Sequence, residues 1–154
     1  MSPGRIVAHP VLNAEAQLTW SEGTITPAGL VAVCADVAGR HRRRIVECGS
    51  GFSTLVLARL LHTRGGRLVS LEHDQAWATR VRSSLAAAGL AEIAQVALAP
   101  LDPHPRDGLP WYARCIDLLL VDGPPAFEPE IELSRYPALP ALPAPRPRRH
   151  RGAR

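Results

Sequence analysis

A short apolar run that breaks into glycine restricts this chain more than anything else in it: Ile45-Val46-Glu47-Cys48 leads straight into Gly49-Ser50-Gly51. Two β-branched residues followed by an abrupt Gly-x-Gly read as a buried strand that empties into a tight turn. Ser53 or Thr54 can then cap a helix through Leu55, Val56, Leu57, Leu60 and Leu61, which stops at Gly65-Gly66. The pattern repeats. Arg67 to Leu71 is a second strand ending at Glu72, and Asp74 can cap a helix through Trp77, Val81, Leu85 and Ala88 to Gly89. Ile93 to Leu98 is a third strand, and Ile116 to Val121, nearly all apolar, is a fourth that ends at Asp122-Gly123-Pro124-Pro125. Upstream, Thr26-Pro27 pairs an N-cap with proline at the first helical position, and that helix runs to Gly39. Arg40 to Arg44 is a basic connector. Strands alternating with helices predict right-handed β-α-β units, hence an α/β, Rossmann-like parallel sheet with helices on both faces.

Composition removes several function classes. The net charge is +4, from 18 basic residues, all Arg, and 14 acidic ones. Five of those arginines (Arg146, Arg148, Arg149, Arg151 and Arg154) fall in the last nine residues. Thirteen basic and fourteen acidic side chains remain elsewhere, so the basic character belongs to the tail, and a nucleic-acid partner is not expected. No uncharged apolar stretch reaches membrane-spanning length, and no membrane association is expected. Cys34, Cys48 and Cys115 are an odd, unpaired set, read as thiols of a cytoplasmic protein. His9, His41, His62 and His104 are scattered and read as surface residues; no metal constellation is expected.

In open α/β sheets ligands gather at the carboxyl ends of the strands. Three such ends carry chemistry here. Gly49-Ser50-Gly51 lets a ligand approach the backbone, with the free N–H groups of a helix behind it. Glu72, 23 residues after Gly49, can accept both hydroxyls of a ribose. Asp122 ends the fourth strand beside the same crevice. A nicotinamide site, the alternative enzymatic reading, needs G-x-G-x-x-G, but its third glycine position is Thr54. Glu47 repels a pyrophosphate and suits an ammonium, which favours a cationic nucleoside such as S-adenosylmethionine. The remaining alternative is a non-catalytic binding protein with a basic tail.

The run Glu47-Cys48-Gly49-Ser50-Gly51-Phe52-Ser53-Thr54 resembles the first motif of class I S-adenosylmethionine-dependent methyltransferases. Leu71-Glu72-His73-Asp74 resembles their acidic ribose motif, and Ile116 to Pro125 their fourth-strand motif. From Trp20-Ser21-Glu22-Gly23 to Arg135-Tyr136-Pro137-Ala138-Leu139-Pro140 the chain is similar to a bacterial small-molecule or O-methyltransferase subgroup. The resemblance implies S-adenosylmethionine as cofactor and methyl transfer to a small-molecule acceptor. It assigns the amino-acid part of the cofactor to Glu47, Gly49, Gly51 and Ser53, with Ser50 in the same turn. Glu72 takes the ribose, His73 lies near the adenine, and Trp20 and Ser21 line the site from the N-terminal side. Asp122 faces the methyl-transfer region as base, metal ligand or wall.

The resemblance also implies seven strands in the order 3-2-1-4-5-7-6, of which this chain supplies the portion 3-2-1-4. The organisation expected is an N-terminal segment, 1–25, that contributes to the cofactor site; a partial methyltransferase domain, 26–142; and a disordered Pro/Arg-rich tail, 143–154. Residues 147–154, given suitable codons and a one-base shift, read Pro-Gly-Gly-Thr-Val-Val-Leu-Asp, the loop and fifth strand that such a domain needs. A frameshifted, truncated chain is therefore expected, with impaired catalysis and self-association along the bare edge of the fourth strand.

Overall fold

The computed structural model of the protein describes residues 25–99 and 116–123. Three helices, α1 (Pro27–Gly39), α2 (Phe52–Arg64) and α3 (Gln75–Ala87), alternate with strands β1 (Arg44–Cys48), β2 (Arg67–Glu72) and β3 (Ala94–Leu98); β4 (Leu118–Val121) follows. The four strands form one parallel sheet in the order β3-β2-β1-β4. Expected and observed topology agree over these four strands.

Local chemistry sets the helix starts. Thr26 caps α1, its Oγ1 accepting the Gly29 N–H at 3.1 Å, with proline in the first turn. Asp74 caps α3 by accepting the Trp77 N–H at 2.6 Å. Gly65 closes α2 in the left-handed conformation. At the start of α2 the structure departs from expectation. The N-cap is Gly51 rather than Ser53 or Thr54. Both hydroxyls lie inside the first turn and point inward, because a buried carboxylate on β1 needs them as donors.

The main core lies on the face covered by the helices. Leu55, Leu57, Ala58 and Leu61 of α2 pack with Ala78, Val81 and Leu85 of α3 onto Ile45, Leu68, Ala94 and Val96 of the sheet, with Val37 of α1 joining them. α2 is apolar around much of its circumference because it packs against both β2 and α1. Each fully buried Leu or Val there contributes roughly 1.5–3 kcal/mol. On the opposite face, Val46 and Ile116 form a second cluster with Cys48, Leu71 and Leu119.

Two expectations at the amino end of the sheet need correcting. β4 begins at Leu118, not Ile116. Asp117 is used to join the strands: its Oδ2 accepts the N–H groups of Arg43 and Arg44 at 3.0 Å, and its carbonyl accepts Arg42 Nη1 at 2.8 Å. The Arg40–Arg44 connector is likewise tied down. Arg40 and Arg42 both pair with Asp36, at 2.9 and 3.0 Å, and Arg44 is already the first residue of β1. Among the described residues no helix is long and apolar enough to cross a membrane.

Candidate functional site

The site lies at the carboxyl end of the sheet, where the chain order reverses between β1 and β4. Two glycines let the strands close there. Gly49 has φ +92, and a Cβ on it would lie 2.7 Å from the Gly123 Cα. Cys48 O accepts both the Asp122 and Gly123 N–H groups, at 2.9 and 2.7 Å, so the end of β4 folds onto the turn that leaves β1. Gly51 differs: its backbone is extended, and a Cβ added there meets nothing within 4 Å.

Glu47 sits on the central strand with no exposed surface. Ser53 Oγ donates to its Oε1 at 2.5 Å and Thr54 Oγ1 to its Oε2 at 2.6 Å. Thr54 Oγ1 in turn accepts the Gly51 N–H at 2.8 Å, so the carboxylate, the hydroxyl and the glycine turn form one chain of hydrogen bonds. Burial pushes the Glu47 carboxyl up to about 7, against the lowering effect of the Ser53, Thr54 and Ser70 hydroxyls; the nearby Asp122 charge raises it further. A cationic group placed here would favour the ionised form.

Glu72 ends β2 and is 4% exposed. Its Oε2 accepts the Ser50 N–H at 2.9 Å and the Ser50 Oγ–H at 2.7 Å. Its Oε1 accepts the N–H groups of His73 and Asp74 at 2.8 and 3.0 Å, and His73 Nδ1 lies 3.0 Å away. Ser50 is held from its other side by α3, whose Trp77 Nε1–H donates to the Ser50 carbonyl at 2.7 Å. Asp122 Oδ2 accepts the Ile25 N–H at 3.0 Å, which brings the chain just before α1 over the end of β4.

The fold thus gathers Glu47, Gly49, Ser50, Gly51, Ser53, Glu72, His73 and Asp122 at one end of the sheet. Trp20 and Ser21 lie outside the described residues. Residue reading missed Thr54 as a ligand of Glu47, Ser70 as its register partner, and Trp77 as the clamp on Ser50. A polar Ser70 inside an apolar strand was a usable sign; nothing local marked Trp77. Burial raises the Cys48 thiol to about 11, with the Glu47 charge adding to the effect, so it is a packing group rather than a nucleophile. Among the described residues no group of three or more His, Cys, Asp or Glu could hold a metal ion.

A methyltransferase-domain family model matches residues 46–139, more than half of the chain. The chain belongs to the methyltransferase-domain family. Solved structures similar to it include the O-methyltransferase of Bacillus cereus with S-adenosylhomocysteine, 22% identical with a TM-score of 0.53, over 76% of this chain and 54% of that one. Another is the Streptomyces achromogenes O-methyltransferase TomG of tomaymycin synthesis, with S-adenosylmethionine, 23% identical with a TM-score of 0.52, over 79% and 62%. A third is the Podospora anserina methyltransferase PaMTH1 bound to S-adenosylhomocysteine, 19% identical with a TM-score of 0.53, over 66% and 42%. These likenesses are of fold. The chain spans 42 to 62% of the length of these three relatives. No curated protein matches the sequence.

Proposed function

We propose that this domain binds S-adenosylmethionine at the carboxyl end of its sheet and passes the methyl group to an oxygen of a small-molecule acceptor in the cytoplasm. The observation that carries the reading is the strand-end carboxylate Glu72 bonded to the glycine turn across from it, with the buried Glu47 and the half-buried Asp122 beside that turn. A ribose diol suits Glu72, the open side of Gly51 admits the ligand to the backbone, and an ammonium suits the negative pair Glu47 and Asp122. The ligands of the relatives from Bacillus cereus, Streptomyces achromogenes and Podospora anserina support the same choice.

The cofactor supplies an already activated methyl–sulfonium bond. When bound, the cofactor would be held by Glu72, Glu47 and the Gly49–Gly51 turn, and its sulfonium would give up the methyl group to an acceptor oxygen and leave as a neutral thioether. The protein's share is to align the two reactants. A protonated acceptor also needs somewhere to put its proton, and Asp122 is the carboxylate we assign to accept it.

Calorimetry on the full chain tests the reading. S-adenosylhomocysteine is expected to bind in the micromolar range, with no binding of NAD or of a DNA duplex. Binding of NAD in preference to S-adenosylhomocysteine would replace this reading with an oxidoreductase. Salt-sensitive DNA binding without nucleoside binding would replace it with an interaction protein.

A further inference from the structure

Among the described residues, the hydrogen bonds to Glu72 divide into two kinds. Three come from backbone N–H groups, of Ser50 on Oε2 and of His73 and Asp74 on Oε1. The chain path holds these in place, and the Trp77 bond to the Ser50 carbonyl stops the turn from swinging away. The other two contacts are side chains: Ser50 Oγ on Oε2 at 2.7 Å and His73 Nδ1 beside Oε1 at 3.0 Å. Rotation about side-chain bonds alone removes either one, and each occupies a different oxygen of the carboxylate. A vicinal diol offers the same pattern, one hydroxyl donor for each oxygen. With both side chains in place Glu72 is 4% exposed, so a diol reaches it only by displacing them.

We propose that Ser50 and His73 are placeholders for the ribose diol, and that Ser50 sets the affinity for the nucleoside by competing for Glu72 Oε2. This inference rests on the reading of Glu72 as the ribose acceptor. Its consequence runs against the usual sign for a residue in a binding turn. Removing the Ser50 hydroxyl removes a competitor while leaving all three backbone donors in place, so binding tightens. Because hydrogen bonds to charged groups outweigh neutral ones but are partly replaced by water, the gain is roughly 3- to 10-fold in Kd.

The test uses the full chain and four proteins: wild type, Ser50→Ala, Ser50→Cys (the same shape without a strong donor) and Ser50→Thr (which keeps the hydroxyl). Kd is measured for S-adenosylhomocysteine by calorimetry, and for adenosine and 2′,3′-dideoxyadenosine by competition. Ser50→Ala and Ser50→Cys are expected to tighten S-adenosylhomocysteine and adenosine by that factor and to leave the dideoxy ligand unchanged, with Ser50→Thr like wild type. A gain shared equally by the dideoxy ligand would mean a loosened turn rather than a displaced competitor, and would overturn the proposal. So would unchanged or weaker diol binding in the two hydroxyl-free variants while wild type binds normally. If wild type itself binds no S-adenosylhomocysteine, the nucleoside reading falls, and this proposal falls with it.

Discussion

Asp117 and Glu72 stand at opposite ends of the sheet and do the same elementary thing: each carboxylate accepts backbone N–H groups from the loop beside it. They differ in what else they hold. At the amino end, Asp117 also takes the Arg44 guanidinium at 3.3 Å. Burial pushes its carboxyl up, but the hydrogen bonds from Arg43 and Arg44 and the Arg44 charge outweigh that and hold it below the ordinary range. Its partners are spent on joining β1 to β4. At the carboxyl end, no guanidinium among the described residues holds Glu72; besides the backbone, its partners among them are a serine hydroxyl and an imidazole, both able to turn away. A carboxylate becomes a site when part of its hydrogen bonding can be exchanged, and a perturbed carboxyl alone does not mark one.

The largest effect expected from this contrast is on binding. Glu72→Ala removes the acceptor for two hydroxyls, and hydrogen bonds to a charged group contribute about 1.5–3 kcal/mol each. S-adenosylhomocysteine affinity should fall by at least about 100-fold in calorimetry. Asp117→Asn should leave that affinity unchanged; a loss there would break the division between the two ends.

Gly49 and Gly51 sharpen it within a single turn. Gly49→Ala forces a Cβ to 2.7 Å from the Gly123 backbone at φ +92, and should cost about 3 kcal/mol of stability in urea unfolding. Gly51→Ala meets nothing within 4 Å and keeps an extended backbone, so it should cost less than about 1 kcal/mol. It should nevertheless weaken S-adenosylhomocysteine, because the open side of that residue is where the ligand approaches the backbone. Equal stability losses in the two variants would mean that the turn is built as one rigid unit.

Asp117→Asn should cost about 1.5 kcal/mol near neutral pH, the low end for hydrogen bonds to a charged acceptor, because the Arg43 and Arg44 donors are exposed and water can replace it. The sign with pH follows from its lowered carboxyl. The stabilisation is present above the unfolded value of about 3.9 and is lost as pH falls through the folded value. Urea midpoints for wild type and Asp117→Asn should therefore stay a constant distance apart above about pH 4 and converge as pH falls below it.

The sheet and its strand-end chemistry were legible because they depend on local signals. β-Branched runs stop at glycine, Thr26 and Asp74 cap helices, and Glu72 falls at a strand end by simple counting. What escaped depends on tertiary register. The inward turn of Ser53 and Thr54 follows from Glu47 lying beneath α2 on the central strand, a relation that the eight-residue motif does not display. Asp117 reads as an ordinary member of an apolar run until the Arg43–Arg44 backbone is placed beside it. Trp77 reaches Ser50 across 27 positions, through a packing of α3 that no local spacing encodes.

Glu47 gives the smallest and most discriminating test, because it belongs to both sides of the comparison: buried like a structural group, yet beside the ligand turn. Its folded carboxyl lies at about 7, above the unfolded value of about 4.3. The fold therefore favours the neutral form. The stability this gives is complete below about pH 4.3, declines as pH rises to about 7, and is flat beyond. Glu47→Gln should flatten that slope, matching wild type below about pH 4.3 and being the more stable protein at pH 8. The amide oxygen can take the Thr54 hydroxyl while the amide N–H groups donate to Ser53. Binding reverses the preference, since an ammonium beside Glu47 and Asp122 favours the charged carboxylate. At pH 7 wild type should then release a fraction of a proton on binding S-adenosylhomocysteine, read by repeating the calorimetry in buffers of different ionisation enthalpy. Glu47→Gln should release none and bind roughly 10-fold more weakly, the size of a single lost charge-assisted contact. Binding without proton release in wild type would place Glu47 with Asp117, as a carboxylate whose partners are all internal.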